Sequence, residues 1–476
     1  MDCLGSSFDR NIENLSRLLR IDKNFDIIYK PMQIDSADAG FFFIDGFVDD
    51  GIMQRILQFF YGLKQKDLTD ADAFMKASVP YVEVDVSDRL QEIVTAVLSG
   101  MLAFLYQGSS KAILIDVRTY PARSVDEPWK DKVLRGSRDG FVETLVFNVA
   151  LMRRRIRDPY FSVEIFQVGQ RSKSDVAVCY IEDKADKKLL EQIKTRISSI
   201  EVEALTMNIE SLSEALFQGK MLNPFPKFKY SERPDTAAAS VYDGNIVIMV
   251  DNSPAVMIIP TSVFDLMEEA DEFYFPPSIG TYLRLSKFFT AIITVVLLPL
   301  WVLYLRNPSM VPAGLEFILD TGESHMSVLG QILILEFAID GLRLAAINTP
   351  SALSTPLSVV AGIVLGESAV QSGWFCSQSL LYMAAISIAT YTQPSFEMGY
   401  ALKFVRILTV ILTWFWGLWG LVAGFVIGLV LLCTNRTISG KSYIYPLIPF
   451  NASKLKRKIF REKLNAGMKK AETRKS

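Results

Sequence analysis

Eighteen consecutive residues, Phe288 to Leu305, carry no charge. As a helix this run is about 27 Å long, close to the hydrocarbon thickness of a bilayer. A chain containing it must bury it in lipid or in an unusually large core. The other long apolar runs all follow Phe288, while charged residues crowd positions 1–287. The average composition hides this division: 476 residues, half of them hydrophobic, with a net charge of −2. The length corresponds to about three domain-sized units. Near-neutral charge carries no nucleic-acid signal, so no nucleic-acid partner is expected.

After the first run, 327–347 is apolar but contains Glu336, Asp340 and Arg343. Residues 356–370 hold only Glu367, and Phe375 to Tyr391 is uncharged. Val405 to Cys433 is mostly apolar, with Arg406 at its start and Gly417, Gly420, Gly424 and Gly428 inside. Arg284 and Lys287 precede the first run and favour a cytoplasmic N-terminal side. The tail from Ser453 to Ser476 has ten Lys/Arg against two Glu, which places it in the cytoplasm against anionic lipid. With both termini inside, the number of crossings is even. Four spans are clear, so the charged 327–347 segment reads as a re-entrant or buried helix. That arrangement puts Lys403 and Arg406 on the outer side, against the usual bias; a hairpin within 405–433 is the competing solution.

The chain opens polar and soon charged, without an apolar leader, so the region before Phe288 is expected in the cytosol. Residues 1–75 read as a helical N-terminal segment. Residues 76–222 read as α/β, in two subdomains. A strand at 81–86 is followed by helical spacing from Ile93 to Tyr106 and a strand at 111–117. Pro121, Pro128, Gly136 and Gly140 mark 119–140 as a long exposed loop. A helix from Phe141 to Arg157, strands at 162–168 and 175–181, a helix over 185–199 and a strand-helix pair over 201–217 complete the region. Residues 223–287 read as a β-rich segment leading to the membrane domain, 288–433, which precedes the basic cytosolic tail, 434–476. The fold class is therefore an α/β cytosolic region followed by an α-helical polytopic membrane domain.

Glu336, Asp340 and Arg343 fall at i, i+4 and i+7, on one helix face that Ile347 continues. Charges at membrane depth must pair or line water. Either Asp340 pairs with Arg343 while Glu336 bonds a neighbouring helix, or the three line a polar ion path. Glu367 is a fourth candidate for that ion path or buried polar cluster, and the glycines around it suit close helix packing. The enzyme signals are nearly absent. One histidine, His325, supports no triad and no multi-histidine metal site, and there is no phosphate-cradling glycine loop. Cys3, Cys179, Cys376 and Cys433 are scattered, without a CxxC pair, so neither a disulfide framework nor a zinc site is indicated. No cofactor, metal or catalytic residue is expected. The acidic residues Asp265, Glu268, Glu269 and Asp271 read as a solvated helix face, and Arg153-Arg154-Arg155 as a solvated helix C-terminus rather than an anion site.

Several stretches resemble the A subunits of spore germinant receptors, the GerA family. They are Leu134-Arg135-Gly136-Ser137-Arg138-Asp139-Gly140-Phe141-Val142-Glu143, the arginine triplet after Asn148, Val168-Gly169-Gln170-Arg171-Ser172-Lys173, Pro224-Phe225-Pro226, Glu232-Arg233-Pro234-Asp235 and Val250-Asp251-Asn252-Ser253-Pro254. The membrane part is similar to one branch of that family through Val311 to Phe317, Glu336 to Arg343, Asn348 to Leu353, Gly366-Glu367 and Thr392 to Glu397. Asn348 stands where that branch is expected to carry His, which weakens a proton role there. The resemblance implies a multi-pass protein of the inner spore membrane, acting in germination or spore maturation. It further implies a homo-oligomer that releases ions as a channel or channel-like amplifier, with other spore membrane proteins as partners. The alternative is a non-conducting scaffold that assembles such proteins.

Overall fold

Branched and aromatic residues between Ile27 and Ile44 build a hairpin where a helical segment was expected. Strands β1 (Ile27–Ile34) and β2 (Ala37–Ile44) pair in antiparallel register. Asp35 turns the chain in a left-handed conformation, φ 57°, which its short polar side chain tolerates. The computed structural model describes residues 3–79, 81–120, 132–216, 223–319, 324–348 and 368–462. They form two compact units: Met1–Gly219 with Phe228–Pro260, and Lys220–Lys227 with Thr261–Ser476.

In the first unit, β1 and β2 join β3 (Val84–Ser87), β4 (Leu102–Tyr106) and β5 (Ala112–Ile115) in the order β1-β2-β4-β5-β3. Every pairing is antiparallel. Helical spacing over 93–106 ends early: Gly100 takes φ 99°, and the residues beyond it enter β4. Four helices accompany the sheet: α1 (Phe8–Leu19), α2 (Asp50–Tyr61), α3 (Ala71–Ser78) and α4 (Leu90–Leu98). Strand alternation sends Phe42, Ala103 and Leu105 into one core with Leu15, Leu19 and Ile93. It sends Phe41, Phe104 and Tyr106 into another with Phe60 and Phe74.

The second half of the unit repeats this plan. Helix α5 (Leu145–Arg155) precedes β6 (Phe161–Val168) and β7 (Ser174–Ile181). Then come α6 (Lys187–Ser198), α7 (Asn208–Leu216), β8 (Lys229–Ser231), α8 (Pro234–Tyr242), β9 (Ile246–Val250) and β10 (Val256–Ile259). The sheet order β6-β7-β9-β10-β8 is that of the first sheet, again wholly antiparallel. Local details recur as well. Asn11 clasps both backbone groups of Gly5, and Asn148 those of Val142. The Leu4 amide donates to the Asp88 carbonyl at 2.7 Å, and the Phe141 amide to that of Glu232 at 2.8 Å. Ser87 accepts from the Arg89 amide as Ser231 does from Arg233. The 223–287 stretch is thus no separate β-rich lead-in: its strands β9 and β10 sit inside the second sheet. Residues 201–217 supply α7 and no named strand. The expected 119–140 loop falls partly outside the described residues.

Arg153 joins the two sheets. It is fully buried and donates to both carboxylate oxygens of Asp26 at 2.9 Å, to the Phe161 carbonyl at 3.0 Å and to Asn24 Oδ1 at 3.0 Å. Of its neighbours in the triplet, Arg154 is exposed and Arg155 half-buried. Arg154 stacks on Tyr120, and Arg155 binds Asp139 at 2.6 Å. The solvated-terminus reading fails because α5 points its last turn at acceptors from distant segments.

The second unit is helical: α9 (Pro277–Arg306), α10 (Val328–Asn348), α11 (Ser377–Tyr391), α12 (Phe396–Trp416), α13 (Leu418–Thr434) and α14 (Ala452–Ile459), with some one-turn helices between. Two of these, α9 and α12, are long and apolar enough to cross a membrane; α13 is apolar but shorter. Gly417, at φ 59°, reverses the chain between α12 and α13. A Cβ on Gly420, Gly424 or Gly428 would fall on Leu412, Thr409 or Val405 respectively, so the glycines let the two helices pack at close range. The 405–433 stretch is therefore a helical hairpin. The expected segment at 356–370, with Glu367, lies outside the described residues apart from its last three.

Asp26→Asn removes the carboxylate that meets the buried Arg153 guanidinium. The expected loss is about 3–5 kcal/mol, read as a lower midpoint in thermal unfolding of the purified protein. A change within error would mean that Asn24 and the Phe161 carbonyl suffice.

Candidate functional site

The charged face of α10 meets α12. Glu336 and Asp340 lie one turn apart on α10; Lys403 and Arg406 lie one turn apart on α12. Glu336 Oε1 takes Arg406 Nη2 at 2.6 Å and Nε at 2.8 Å. Lys403 Nζ bridges Glu336 Oε2 at 3.2 Å and Asp340 Oδ2 at 2.6 Å, and also donates to the Glu336 carbonyl at 3.1 Å. The later acid binds the earlier base, so α10 and α12 run antiparallel. Glu336, Lys403 and Arg406 are buried, while Asp340 stays about a third exposed.

The cluster also reaches α9. Arg406 Nη1 donates to the Thr294 carbonyl at 3.2 Å. Pro299 removes the donor that would bond the carbonyl four residues back, which loosens this part of the helix. Thr294 lies six residues beyond Phe288, so the cluster sits roughly 9 Å inside the charge-free run of α9.

Arg343 does not pair with Asp340, the partner that one of the two sequence readings gave it. Its guanidinium lies over the rings of Phe396, Tyr400 and Tyr391, at 4.5, 5.2 and 5.6 Å from their centroids. Such stacking holds a cation without an ion pair. Lys403 is the better partner for Asp340 because α12 presents it directly opposite. A narrow cleft at this junction is lined by Glu336, Asp340, Arg343, Ser387, Thr390 and Tyr400, among others. Ser387 and Thr390 donate back to carbonyls of their own helix, leaving the charged groups as the reactive features. The five charges sum to +1: two carboxylates against Lys403, Arg406 and Arg343.

Lys403 and Arg406 were legible only as an anomaly. Two bases spaced i, i+3 in an apolar stretch are the complement of two acids spaced i, i+4 in another. That match is the signal that could have found them.

The germinant-receptor stretches cluster elsewhere, in the first unit. The buried Arg233 donates to Asp235 at 2.6 and 3.0 Å and to the Ser137 carbonyl at 2.9 Å. Pro234 occupies the first turn of α8, where its missing amide costs nothing. Glu232 receives the Phe141 amide, and the Glu143 carbonyl receives that of Asn252. Burial alone would raise the Asp139 carboxyl, but Ser137 and Arg155 hold it below its ordinary value. Gly140 and Phe141 are buried inside this clasp, whereas Arg135, Gly136 and Arg138 are exposed. These residues mainly fasten the 132–145 segment to the second sheet.

A second charge cluster marks the start of α9. Glu272, fully buried, binds Arg284 at 2.6 Å and Lys287 at 2.8 Å. Glu268 and Glu269 bind the same two bases, and Lys458 of α14 binds Asp265 at 2.5 Å and Glu268 at 3.0 Å. The acidic run expected as a solvated face is instead mostly consumed by bases from α9 and α14. Burial works against the Asp265 carboxyl, but Lys458 and Ser262 outweigh it and hold its pKa below the ordinary value. Burial likewise opposes the Lys458 charge, and Asp265 and Glu268 outweigh it and raise that pKa.

An α/β unit is joined to a helical unit that buries paired charges between apolar helices, two of them long and apolar enough to cross a membrane. The sequence matches the family described as Bacillus/Clostridium GerA spore germination protein over residues 14–473, and the chain belongs to that family. It is 35% identical to stage V sporulation protein AF of Bacillus subtilis (strain 168), across 94% of this chain and 90% of that one. It is 25% identical to an uncharacterized membrane protein of the same organism, YfkQ, across 95% and 88%. Among solved structures it is similar to the N-terminal domain of the A subunit of the Bacillus megaterium spore germinant receptor GerK3, at 24% identity and a TM-score of 0.42, over 54% of this chain and 96% of that one.

Glu336→Gln leaves Arg406 buried against a neutral amide, with an expected cost of about 3–5 kcal/mol. Asp340→Asn, more exposed, should cost less, and Glu336→Gln/Arg406→Gln should recover part of the loss. Thermal unfolding in mild detergent checks the order; equal costs for the two acids would contradict it. The Asp265–Lys458 pair gives a pH dependence. A depressed carboxyl stabilises above its unfolded value, about 3.9, and loses that contribution as pH falls through its folded value. A raised lysine loses its contribution only as pH climbs above about 10.4. The protection of the amides across 452–460, measured against the intrinsic exchange rate at each pH, should therefore stay constant near neutrality and fall at acid pH; a fall already at pH 6 would contradict the pairing.

Proposed function

We propose that this protein acts in spore germination or sporulation as a multi-pass, homo-oligomeric channel, or channel-like amplifier of ion release, in the inner spore membrane. The observation that carries this reading is the five-charge cluster of Glu336, Asp340, Arg343, Lys403 and Arg406, set inside apolar helices. Intramembrane charges are expensive, and by default they mark a pathway.

The helix directions support a polytopic arrangement. Thr294 meets Arg406 and Asn307 approaches Gly417, so α9 and α12 run one way. The partners of α10, the Thr290–Thr392 contact of α11 and the glycines of α13 give the opposite direction for those three. Gln331, near the start of α10, bonds Cys376 and Ser379 at the start of α11, so those two helices start at the same end. In this reading the N-terminal region and the basic tail lie in the cytoplasm, with Lys403 and Arg406 toward the start of α12.

Both carboxylates are already neutralised in this structure. The cluster is therefore a closed latch rather than a bare acidic ring, and the cation preference that free carboxylates would confer does not follow. Other spore membrane proteins are the expected partners, with anionic lipid at the basic tail. The decisive test is ion leakage from liposomes holding the full-length protein, compared with Glu336→Gln/Asp340→Asn. A leak rate that the double substitution changes several-fold is expected. Tight liposomes in both cases, with folded protein and its membrane partners present, would overturn the channel reading and leave a scaffold.

A further inference from the structure

Between the last apolar helix and the basic tail lies a short segment that the latch does not use. Leu447, Ile448, Pro449 and Phe450 are consecutive and exposed, Phe450 to 70%. Asn451 caps the next helix by accepting the Lys454 amide at 3.0 Å, and α14 then carries Lys454, Lys456 and Arg457, all exposed. An apolar prong that adjoins a basic helix is unfavourable in water, yet α14 is firmly held. Arg284 Nη1 donates to the Arg457 and Lys458 carbonyls at 2.9 and 3.1 Å. The Arg461 amide donates to Thr281 Oγ1 at 3.2 Å, and its guanidinium to the Phe273 and Phe275 carbonyls.

These bonds fix the height of α14. Arg284 is four residues before Phe288, so α14 docks roughly 6 Å below the charge-free run of α9, at headgroup level. The same stretch of α9 exposes Ile279, Tyr282, Leu285 and Phe289, a helical stripe that carries apolar surface from headgroup depth into the hydrocarbon.

We propose that Leu447–Phe450 and α14 form an interfacial anchor, in which the prong inserts among acyl chains while Lys454, Lys456 and Arg457 bind anionic lipid headgroups. The occupant is the bilayer itself, chosen by charge complementarity and by the exposed apolar stripe on the same stretch of α9 to which α14 is bonded. Apolar side chains below a basic face are the ordinary composition of a helix lying in the interface, and each base near an anionic surface adds attraction. This inference rests on the membrane reading above. Through Arg284 and Lys458, the docked tail then couples the start of α9 to lipid charge.

The test uses full-length protein in phosphatidylcholine vesicles with or without phosphatidylglycerol. A nitroxide is placed at Phe450→Cys, with the exposed Cys3 and Cys433 changed to Ser. Reference labels sit at Glu13→Cys, on the exposed side of α1, and at Val426→Cys, on the outer face of α13. The label at 450 should favour collision with oxygen over an aqueous nickel chelate, as at 426, and phosphatidylglycerol should lower nickel access several-fold further. Lys454→Gln/Lys456→Gln/Arg457→Gln, which leaves the Lys458 and Arg461 contacts in place, should abolish that lipid dependence. Nickel access at 450 equal to that at 13, with 426 lipid-like, overturns the anchor and spares the membrane reading. Water-like behaviour at 426 as well overturns both.

Discussion

A charge inside an apolar layer must bring its partner with it, and the helical unit is organised around that requirement. Glu336 cannot leave water alone; Arg406 and Lys403 make its burial tolerable, and Asp340 completes the charge balance of Lys403. Because each partner comes from a different helix, the pairs also set geometry. They fix α10 antiparallel to α12, set the register between them and, through the Thr294 carbonyl, tie α12 to α9. Replacing such a cluster with packed hydrocarbon is often neutral or stabilising, so its presence is better explained by what it positions than by net stability.

The hairpin at Gly417 has a consequence for charge placement. Four spans with a buried fifth segment stranded Lys403 and Arg406 on the wrong side of the membrane. Reversing the chain at Gly417 divides the 405–433 stretch into two helices, α12 and α13, and leaves Lys403 and Arg406 toward the end of α12 away from that turn. Only glycine serves at positions 420 and 424, where the backbone of α12 occupies the space of a Cβ, and at 428 a Cβ would press on a Val405 methyl. The close approach that shortens the hairpin is thus written in residues that first read as generic packing.

Local pattern carried much of the first unit and missed its plan. Strands at 162–168 and 175–181 and the helix over 185–199 were readable because their period is clear. The β1–β2 hairpin was not, since mixed apolar and polar residues beside a genuine amphipathic helix blur the period. The repeated element order left only faint traces, such as Ser87-Asp88-Arg89 beside Ser231-Glu232-Arg233. The two halves share their topology through backbone hydrogen bonds that many side chains permit. Arg153 with Asp26 was invisible for another reason: 127 positions separate them, and no local rule links a lone acid to a distant arginine. The Arg233–Asp235 clasp shows the converse. Its residues stood out as a motif, yet their geometry is that of a fastener rather than a ligand site.

The latch also limits how a path through this unit could open. Separating α10 from α12 without replacement would leave Glu336 and Arg406 as lone charges at membrane depth, which costs several kcal/mol each. Opening must therefore exchange partners rather than simply break them. Water can serve only if it enters with the motion. Arg343 is already one turn from Asp340, held by the rings of Phe396, Tyr400 and Tyr391, an attachment of about 0.5–2 kcal/mol per ring at most. It is the cheapest cation in the cluster to move. A change in the Arg343 side-chain conformation toward Asp340, three residues earlier on the same helix, would free Lys403 to neutralise Glu336 fully.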